Sequence, residues 1–195
     1  MRVLIACEFS GVVREAFRKR GHDAWSCDLL PAEDGSKFHF QRFIEDILAQ
    51  SFCWDLMIAH PPCTDIAVSG AAWFKEKIAD GRQERALDFV RFLMNSPIEK
   101  ICIENPISVI SSKIRKPDQI VHPWMFGHME QKATCLWLKG LPKLTATNNV
   151  KEQMMLLPKN VRERLHYLPP GKDRWKLRSK TFHGIAEAMA EQWGG

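Results

Sequence analysis

The feature that most constrains the fold is a short apolar run, Leu56–Ala59, that stops at Pro61-Pro62 and is followed by Cys63. The run is apolar without alternation and too short for a helix, so it predicts a buried strand. Neither proline can continue a sheet ladder, so the chain must leave the sheet there. Cys63 should then lie just beyond the carboxyl end of a strand, at the edge where open α/β sheets bind ligands.

A second apolar run, residues 101–103, ends in the same way at Glu104-Asn105-Pro106. The two strands are therefore expected to project a possible nucleophile, Cys63, and a carboxyl group toward one edge of the sheet. A carboxyl group beside a nucleophile suits a protonation role if its pKa is raised.

Apolar patterning elsewhere predicts alternating strands and helices, which indicates an α/β protein with βαβ units and a mostly parallel sheet. The predicted strands are residues 2–6, 24–27, 43–47, 56–59, 100–103 and 134–138, and residues 43–47 could instead form a short helix. Helical spacing predicts helices over residues 12–20, 82–94 and 185–193. Residues 30–41, 64–80 and 108–132 are expected to be connections.

Length and charge narrow the class of protein. The 195 residues suffice for one α/β domain with a proper core. The formal net charge is +5, and residues 139–180 carry eleven Lys and Arg against three acidic residues. This basic segment suits a polyanionic partner, and an aromatic residue inside it, Trp175, could stack on a base.

The six cysteines form no Cys-x-x-Cys pair, and the sequence shows neither a signal peptide nor a stretch of membrane-spanning length. We therefore expect a reducing, intracellular compartment. No metal is expected, because the spacing of the histidines and cysteines matches no tight zinc pattern. The residues that could be imagined as metal ligands are His60, Cys63, His122, His128 and Cys135.

Two further positions suit a nucleotide-like cofactor. Phe9-Ser10-Gly11 follows the first predicted strand and precedes the first helix, and Asp28 follows the second strand. In doubly wound sheets the phosphates or sugar of such a cofactor lie at these positions.

Taken in order, these pieces resemble the DNA cytosine-5 methyltransferases, in particular the short methylase-like proteins of phages and prophages. Pro62-Cys63 is similar to the Pro-Cys pair that bears the family's nucleophile. Glu104-Asn105-Pro106 resembles the Glu-Asn-Val motif, whose glutamate recognises the target cytosine. The resemblance implies a Rossmann-like methyltransferase fold with Cys63 and Glu104 as catalytic residues.

The outer motifs imply S-adenosylmethionine as the cofactor. Phe9-Ser10-Gly11 resembles the first motif, Asp28 stands where an acidic residue holds the ribose, and Asp46-Ile47 resembles the motif that meets the adenine. The residues implied in cofactor binding are Phe9, Ser10, Gly11, Asp28, Leu29, Asp46, Ile47 and Pro62.

DNA contacts are expected from the basic segment and from a weak counterpart of the eighth motif, Gln131-Lys132. The implied substrate-binding residues are Asn105, Lys132, Arg174 and Trp175. Thr181–Ala186 resembles the last motif, whose helix packs back against the cofactor site.

Several positions depart from the family pattern. Val13 replaces the second glycine of the first motif, and Ala133 and Cys135 stand where the eighth motif has arginines. About forty residues separate Gly140 from Thr181, too few for a full target-recognition domain. We therefore expect one domain over residues 1–195, in which residues 140–180 form a short basic insertion and a partner protein could supply specificity.

The resemblance thus implies methylation of cytosine carbon 5 in DNA through a covalent cysteine adduct, in the cytoplasm of a bacterial host if the gene is phage-derived. Three alternatives stay open at this point. They are an amino-group methyltransferase, which usually carries an aromatic residue where Cys63 stands, a binding protein on the same fold without catalysis, and an enzyme acting on a free nucleotide.

Overall fold

The computed structural model describes residues 1–50 and 53–195. Within them the strands β1 to β7 are Arg2–Ala6, Asp23–Asp28, His39–Gln41, Leu56–Ala59, Lys100–Pro106, Gln119–Val121 and Thr134–Lys139. They form one sheet in the order β3-β2-β1-β4-β5-β7-β6. The pairings from β3 to β5 are parallel, whereas β7 runs antiparallel to both of its neighbours. The predicted mostly parallel sheet is confirmed.

The helices lie between and after these strands. Those in the described residues, α1 to α10, are Val12–Lys19, Ile44–Leu48, Phe74–Ala79, Arg82–Met94, Ile110–Lys113, Lys151–Met155, Lys159–Arg162, Arg164–Tyr167, Arg174–Ser179 and His183–Trp193. Two 3-10 helices cover Val68–Trp73 and Pro123–Met125. No described helix combines the length and the apolar character that crossing a membrane requires.

Alternation along β1 divides the core between the two faces of the sheet. Val3 and Ile5 pack with α1 and α10 on one face, whereas Leu4 and Ala6 pack with α2 and α4 on the other. Helices therefore cover both faces, as the sequence predicts. The face of α10 predicted to be apolar is buried against α1.

Several elements differ from the prediction. The expected loop at residues 30–41 contains β3, and the irregular stretch 108–132 contains β6. Both are three-residue strands without an apolar run, so neither has a period to detect. The connection 64–80 contains a 3-10 helix and α3, and residues 44–48 form a helix.

The fifth strand does not end at Ile103 as expected. It continues to Pro106, because residues 104–106 pair with β7 after the pairing with β4 has ended at Ala59 and Ile103. Glu104 and Asn105 are therefore held in a regular strand rather than in a turn. The extra length places both side chains beside the segment that follows β4.

Candidate active site

The site begins where β4 ends beside β5. Ala59 lies opposite Ile103, so the next residues along each strand, His60 and Glu104, become neighbours. The imidazole Nδ1 of His60 lies 2.8 Å from Oε2 of Glu104. Both side chains are nearly buried, with exposed fractions of 9% and 11%. Parallel strand register alone thus creates a buried histidine–carboxylate pair.

Cys63 lies at the start of a tight turn that follows the two prolines. Its carbonyl accepts hydrogen bonds from the N–H groups of Ile66 (3.1 Å) and Ala67 (2.8 Å). Burial raises the pKa of its thiol, and the nearby Glu104 carboxylate raises it further. Glu104 therefore lies near the Cys63 thiol, and we call the region around these two side chains the Cys63 cleft.

Two cations oppose that shift of the Cys63 thiol. Lys132 and Arg178 both act to lower the pKa of Cys63, which places their charges at the same cleft. Lys132 comes from the segment before β7, and its Nζ donates to the carbonyl of Arg178 at 3.1 Å. The two cations are the groups that can favour a thiolate at Cys63.

The segment after Cys63 is fastened to the segment after Glu104. The buried amide of Asn105 donates to the carbonyl of Pro61 at 2.9 Å. Farther on, backbone hydrogen bonds of 3.0 Å join Val68 to Ile107 and Val109 to Ile66. The Cys63 turn is thus held by β5 and by the backbone that follows it. The expected contact of Asn105 with substrate stays a prediction, since its amide nitrogen is bonded to Pro61 while its Oδ1 has no hydrogen-bond partner among the described residues.

A buried lysine holds the other side of the Cys63 turn. Lys77, on α3, donates its Nζ to the carbonyl of Thr64 and lies 3.5 Å from the carboxylate of Asp65. Its side chain is only 9% exposed, so removing it would leave the Thr64 carbonyl without that donor. Residues 63–67 are therefore anchored from both directions.

The protonation of the His60–Glu104 pair differs from the expectation for Glu104. Burial works against its carboxylate form, yet the hydrogen bond from His60 and the charge of Lys132 together lower its pKa. Burial likewise works against a charged His60, but the bond to Glu104 and the charges of Glu104 and Glu8 raise its pKa. A raised pKa at Glu104, the condition for its acting as an acid alone, is therefore not met, because the hydrogen bond to His60 favours the carboxylate form.

The turn after β1 carries the candidate cofactor residues. The buried carboxylate of Glu8 accepts hydrogen bonds from the N–H groups of Val13 (2.7 Å) and Arg14 (3.3 Å), which fixes the start of α1. Gly11 has a φ of +72°, in the left-handed region that favours glycine. A side chain there would also meet Arg14, so the Phe9-Ser10-Gly11 turn needs a glycine at this point.

The acidic candidates converge at the end of β2. Asp28 and Asp46 both act to raise the pKa of Cys27, so both carboxylates lie near that residue. Leu29 beside them is 58% exposed, whereas Ile47 is buried in the core. The carboxylates of Asp28 and Asp46 could accept hydrogen bonds from the hydroxyl groups of a nucleoside. The exposed Leu29 and the glycine turn at Gly11 would leave room for its rings.

Residues 172–180, which we call the basic strap, lie across this edge. The ring of Trp175 contacts the ring of Phe9 with centroids 5.9 Å apart. Lys180 forms an ion pair with Glu33 at 2.6 Å. The strap therefore bridges the turn after β1 and the Cys63 cleft, where Arg178 lies.

The candidate substrate residues of the strap are placed differently from one another. Trp175 is half exposed, whereas the guanidinium of Arg174 donates to the carbonyls of Leu168 (2.9 Å) and His166 (3.0 Å). Arg174 thus holds the preceding segment in place, and Arg178 is the strap arginine that reaches the cleft.

A shallow groove of about 510 Å³ shares Ser10 and Gly11 with the candidate cofactor residues, but it runs along α1 and α10 and includes neither Cys63 nor Glu104. Within residues 1–50 and 53–195, no group of three or more acidic, histidine or cysteine side chains is arranged to hold a metal ion.

The sequence matches no protein-family model and no curated protein. The structure does match that of an E. coli protein described as a candidate DNA modification methyltransferase encoded within a prophage, with a TM-score of 0.52 and 16% identity. The match covers 82% of this chain. The chain has the Rossmann-like methyltransferase fold. It spans 56% of the length of that E. coli protein.

On this methyltransferase fold, sequence reasoning overlooked two groups of the cleft. The sequence alone suggests His60 only as a possible metal ligand and gives no reason to single out Glu8. The signal for His60 is the register of β4 with β5. Ala59 pairs with Ile103, so the next residues along the two strands, His60 and Glu104, lie side by side. Glu8 follows β1 and faces the same cleft, as its influence on His60 indicates.

Proposed function

We propose that this protein methylates carbon 5 of cytosine in DNA, with S-adenosylmethionine as the methyl donor. The observation that carries the proposal is the proximity of Cys63, which follows β4, to Glu104, which lies on the neighbouring strand β5 of a methyltransferase fold. Carbon 5 is a poor nucleophile, so a residue must first add to the ring, and a cysteine beside a carboxylate is suited to that.

The thiolate of Cys63 would attack carbon 6 and break the aromaticity of the ring. Glu104 would bind the ring nitrogen and the exocyclic amino group, where charge develops during the attack. Carbon 5 would then take the methyl group, and loss of its proton would restore the double bond and expel Cys63. Lys132 and Arg178 would favour the thiolate before the attack.

The cofactor would be held at the ends of β1 and β2, with Asp28 at the ribose and Asp46 and Leu29 near the adenine. Phe9, Ser10 and Gly11 would form the turn beside it, Ile47 would support this wall from the core, and Pro62 would border it on the Cys63 side. When bound there, S-adenosylmethionine supplies an electrophilic methyl group next to the cleft.

The basic strap would contact DNA phosphates, and Trp175 would lie beside the bases. A cytosine within duplex DNA must leave the stack to reach Cys63, which costs on the order of a few kcal/mol. Residues 140–180 would serve in place of a target-recognition domain, within a single domain over residues 1–195. The description of the E. coli neighbour as a DNA modification protein supports a DNA substrate.

The decisive experiment incubates the protein with S-adenosylmethionine labelled in its methyl group and with cytosine-containing duplex DNA, single-stranded DNA or free nucleotide. The product is digested and the labelled nucleoside is identified. We expect 5-methylcytosine from DNA. Label on the exocyclic amino group, on the free nucleotide alone or on no base would contradict the proposal.

A further inference from the structure

Glu104 alone does not explain how the cytosine ring receives a proton. When Cys63 adds to carbon 6, electrons move onto the ring nitrogen N3, which must be protonated to stabilise the adduct. In the free protein Glu104 is a carboxylate, because its bond to His60 and the charge of Lys132 lower its pKa despite its burial. A carboxylate accepts a proton and cannot donate one.

The missing proton lies one hydrogen bond away. The Nδ1 atom of His60 is 2.8 Å from Oε2 of Glu104, and both side chains are shielded from solvent. The other ring nitrogen of His60, Nε2, is buried and has no hydrogen-bond partner within the described part of the chain. A buried polar group left unpaired is uncommon and points to a functional constraint.

We propose that His60 is a positioning residue that orients Glu104 and stores the proton which Glu104 delivers to N3 of the target cytosine. This inference rests on the proposed function and adds a residue that the resemblance does not supply. An imidazolium–carboxylate pair differs from a neutral imidazole and a carboxylic acid only by the position of one proton. The pair can therefore act as an acid while remaining ionised at rest.

The Cys63 sulfur forms its bond to carbon 6 while the C5=C6 pair moves to C4–C5 and the C4=N3 pair moves onto N3. N3 takes a proton from Glu104, and Glu104 takes the Nδ1 proton of His60. When carbon 5 has gained the methyl group, the C4=N3 bond is restored and the proton returns along the same path.

The charges facing His60 favour storage of that proton. Glu104 on β5 and Glu8 after β1 both raise the pKa of the imidazole, whereas burial and Lys132 lower it, and the net shift is upward. The imidazolium is therefore kept to higher pH than in a free histidine and is lost as pH rises through the raised pKa. Turnover that depends on this proton should decline over the same alkaline range.

The test compares wild-type protein with His60→Asn and His60→Ala. An asparagine amide can replace the Nδ1–H donor to Glu104, but it cannot supply a proton. His22→Asn is the control, since His22 precedes β2 at the opposite end of the sheet. Methyl transfer and release of tritium from carbon 5 of cytosine in DNA are measured from about pH 6 to about pH 10.

We expect His60→Asn to lower kcat roughly 10- to 100-fold at about pH 8, with the KM for DNA changed less than about twofold. Its alkaline decline should move to lower pH, because Glu104 must then hold the proton itself beside Lys132. His60→Ala should lose at least as much, and His22→Asn should behave as wild type. A normal pH profile and rate for His60→Asn would overturn the storage of the proton on His60.

A second measurement separates this inference from the proposed function. The imidazole resonances of ¹⁵N-histidine-labelled protein are followed against pH without DNA or cofactor. We expect His60 to titrate above an ordinary histidine, and Glu104→Gln to remove the upward shift. A His60 that titrates normally would overturn the inference even if wild-type protein methylates carbon 5. Failure of wild-type methylation with the shift present would reject the proposed function and leave the proton-holding pair supported.

Discussion

The Cys63 turn and the basic strap border the same cleft but are fastened in different ways. Residues 63–67 are held by backbone bonds to the segment after β5, by the Asn105 amide and by the buried Lys77. The strap is held mainly by side chains, through a half-exposed ring contact and a surface ion pair. The first region is built into the core, whereas the second lies on the surface.

The Cys63 turn is therefore suited to holding a reactive atom in a fixed position, whereas the basic strap is suited to adjusting to a ligand. In the proposed reaction, bond formation at carbon 6 requires the Cys63 sulfur to be placed within a fraction of an ångström, which only a well-anchored turn provides. A strap with few buried contacts opens at low free-energy cost and can adjust to a flexible polyanion. Substitutions in the first region should therefore affect chemistry, and those in the second should affect binding.

The largest effect is expected from Cys63→Ala. Without the sulfur no adduct forms, so methyl transfer should fall by at least about a thousandfold. S-adenosylmethionine affinity, measured by calorimetry, should change little because the residues proposed to hold the cofactor lie near the ends of β1 and β2. Cys53→Ala, which changes an exposed cysteine, is the matched control. Retained methylation in Cys63→Ala would remove the nucleophile from the proposal.

Glu104→Gln should produce the next largest loss. The amide keeps the size of the side chain but cannot relay a proton, so kcat should drop roughly 100- to 1000-fold. The amide also leaves the charged His60 without its partner, so unfolding by denaturant should show reduced stability as well. A variant with wild-type kcat would show that the carboxylate does not take part in the reaction.

Asn105→Ala tests the fastening of the Cys63 turn. It removes a donor from the buried Pro61 carbonyl and should lower the free energy of unfolding by about 1–3 kcal/mol. Activity should fall more than cofactor affinity, because the position of Cys63 depends on this bond. Ser112→Ala removes an exposed bond to a backbone carbonyl and should change stability by less than about 0.5 kcal/mol. Equal effects of the two substitutions would argue against a fastened turn.

The smallest effect on the reaction and on the fold is expected from Trp175→Ala in the strap. Loss of the ring should weaken DNA binding by about 1–3 kcal/mol if it stacks on a base, and the stability of the fold should be nearly unchanged. Leu177→Ala, an exposed apolar residue on the same helix, is the control. Anisotropy titrations with labelled DNA measure the affinity of both variants, and unfolding by denaturant measures their stability. If Trp175→Ala unfolded the protein as readily as Asn105→Ala, the contrast between the two regions would be lost.

The sequence predicts the central strands because residues 56–59 and 101–103 are too apolar and too short to form anything else. It also predicts that Cys63 and Glu104 share an edge, since both follow parallel strands. It does not reveal the protonation of Glu104, which depends on strand register and on Lys132 approaching from the segment before β7. No local pattern reports such a contact between distant segments.

Contacts of the strap escape prediction for a related reason. A tryptophan among lysines and arginines has no period, and its partner Phe9 lies near the other end of the sequence. Arg174 illustrates the limit, because its charge suggests a phosphate contact while its guanidinium is bound to nearby carbonyls. Charge composition identifies a basic segment but not which of its cations are available.

If the proposed function is correct, the contact between Trp175 and Phe9 has a thermodynamic consequence, because the protein would bind both a cofactor and DNA. A nucleoside bound beside Phe9 would alter the surroundings of Trp175, and DNA bound through Trp175 would alter the surroundings of Phe9. Any resulting change in the affinity for one ligand must appear as an equal factor in the affinity for the other. The two rings would then couple the two binding sites, so that a bound cofactor raises or lowers the affinity for nucleic acid.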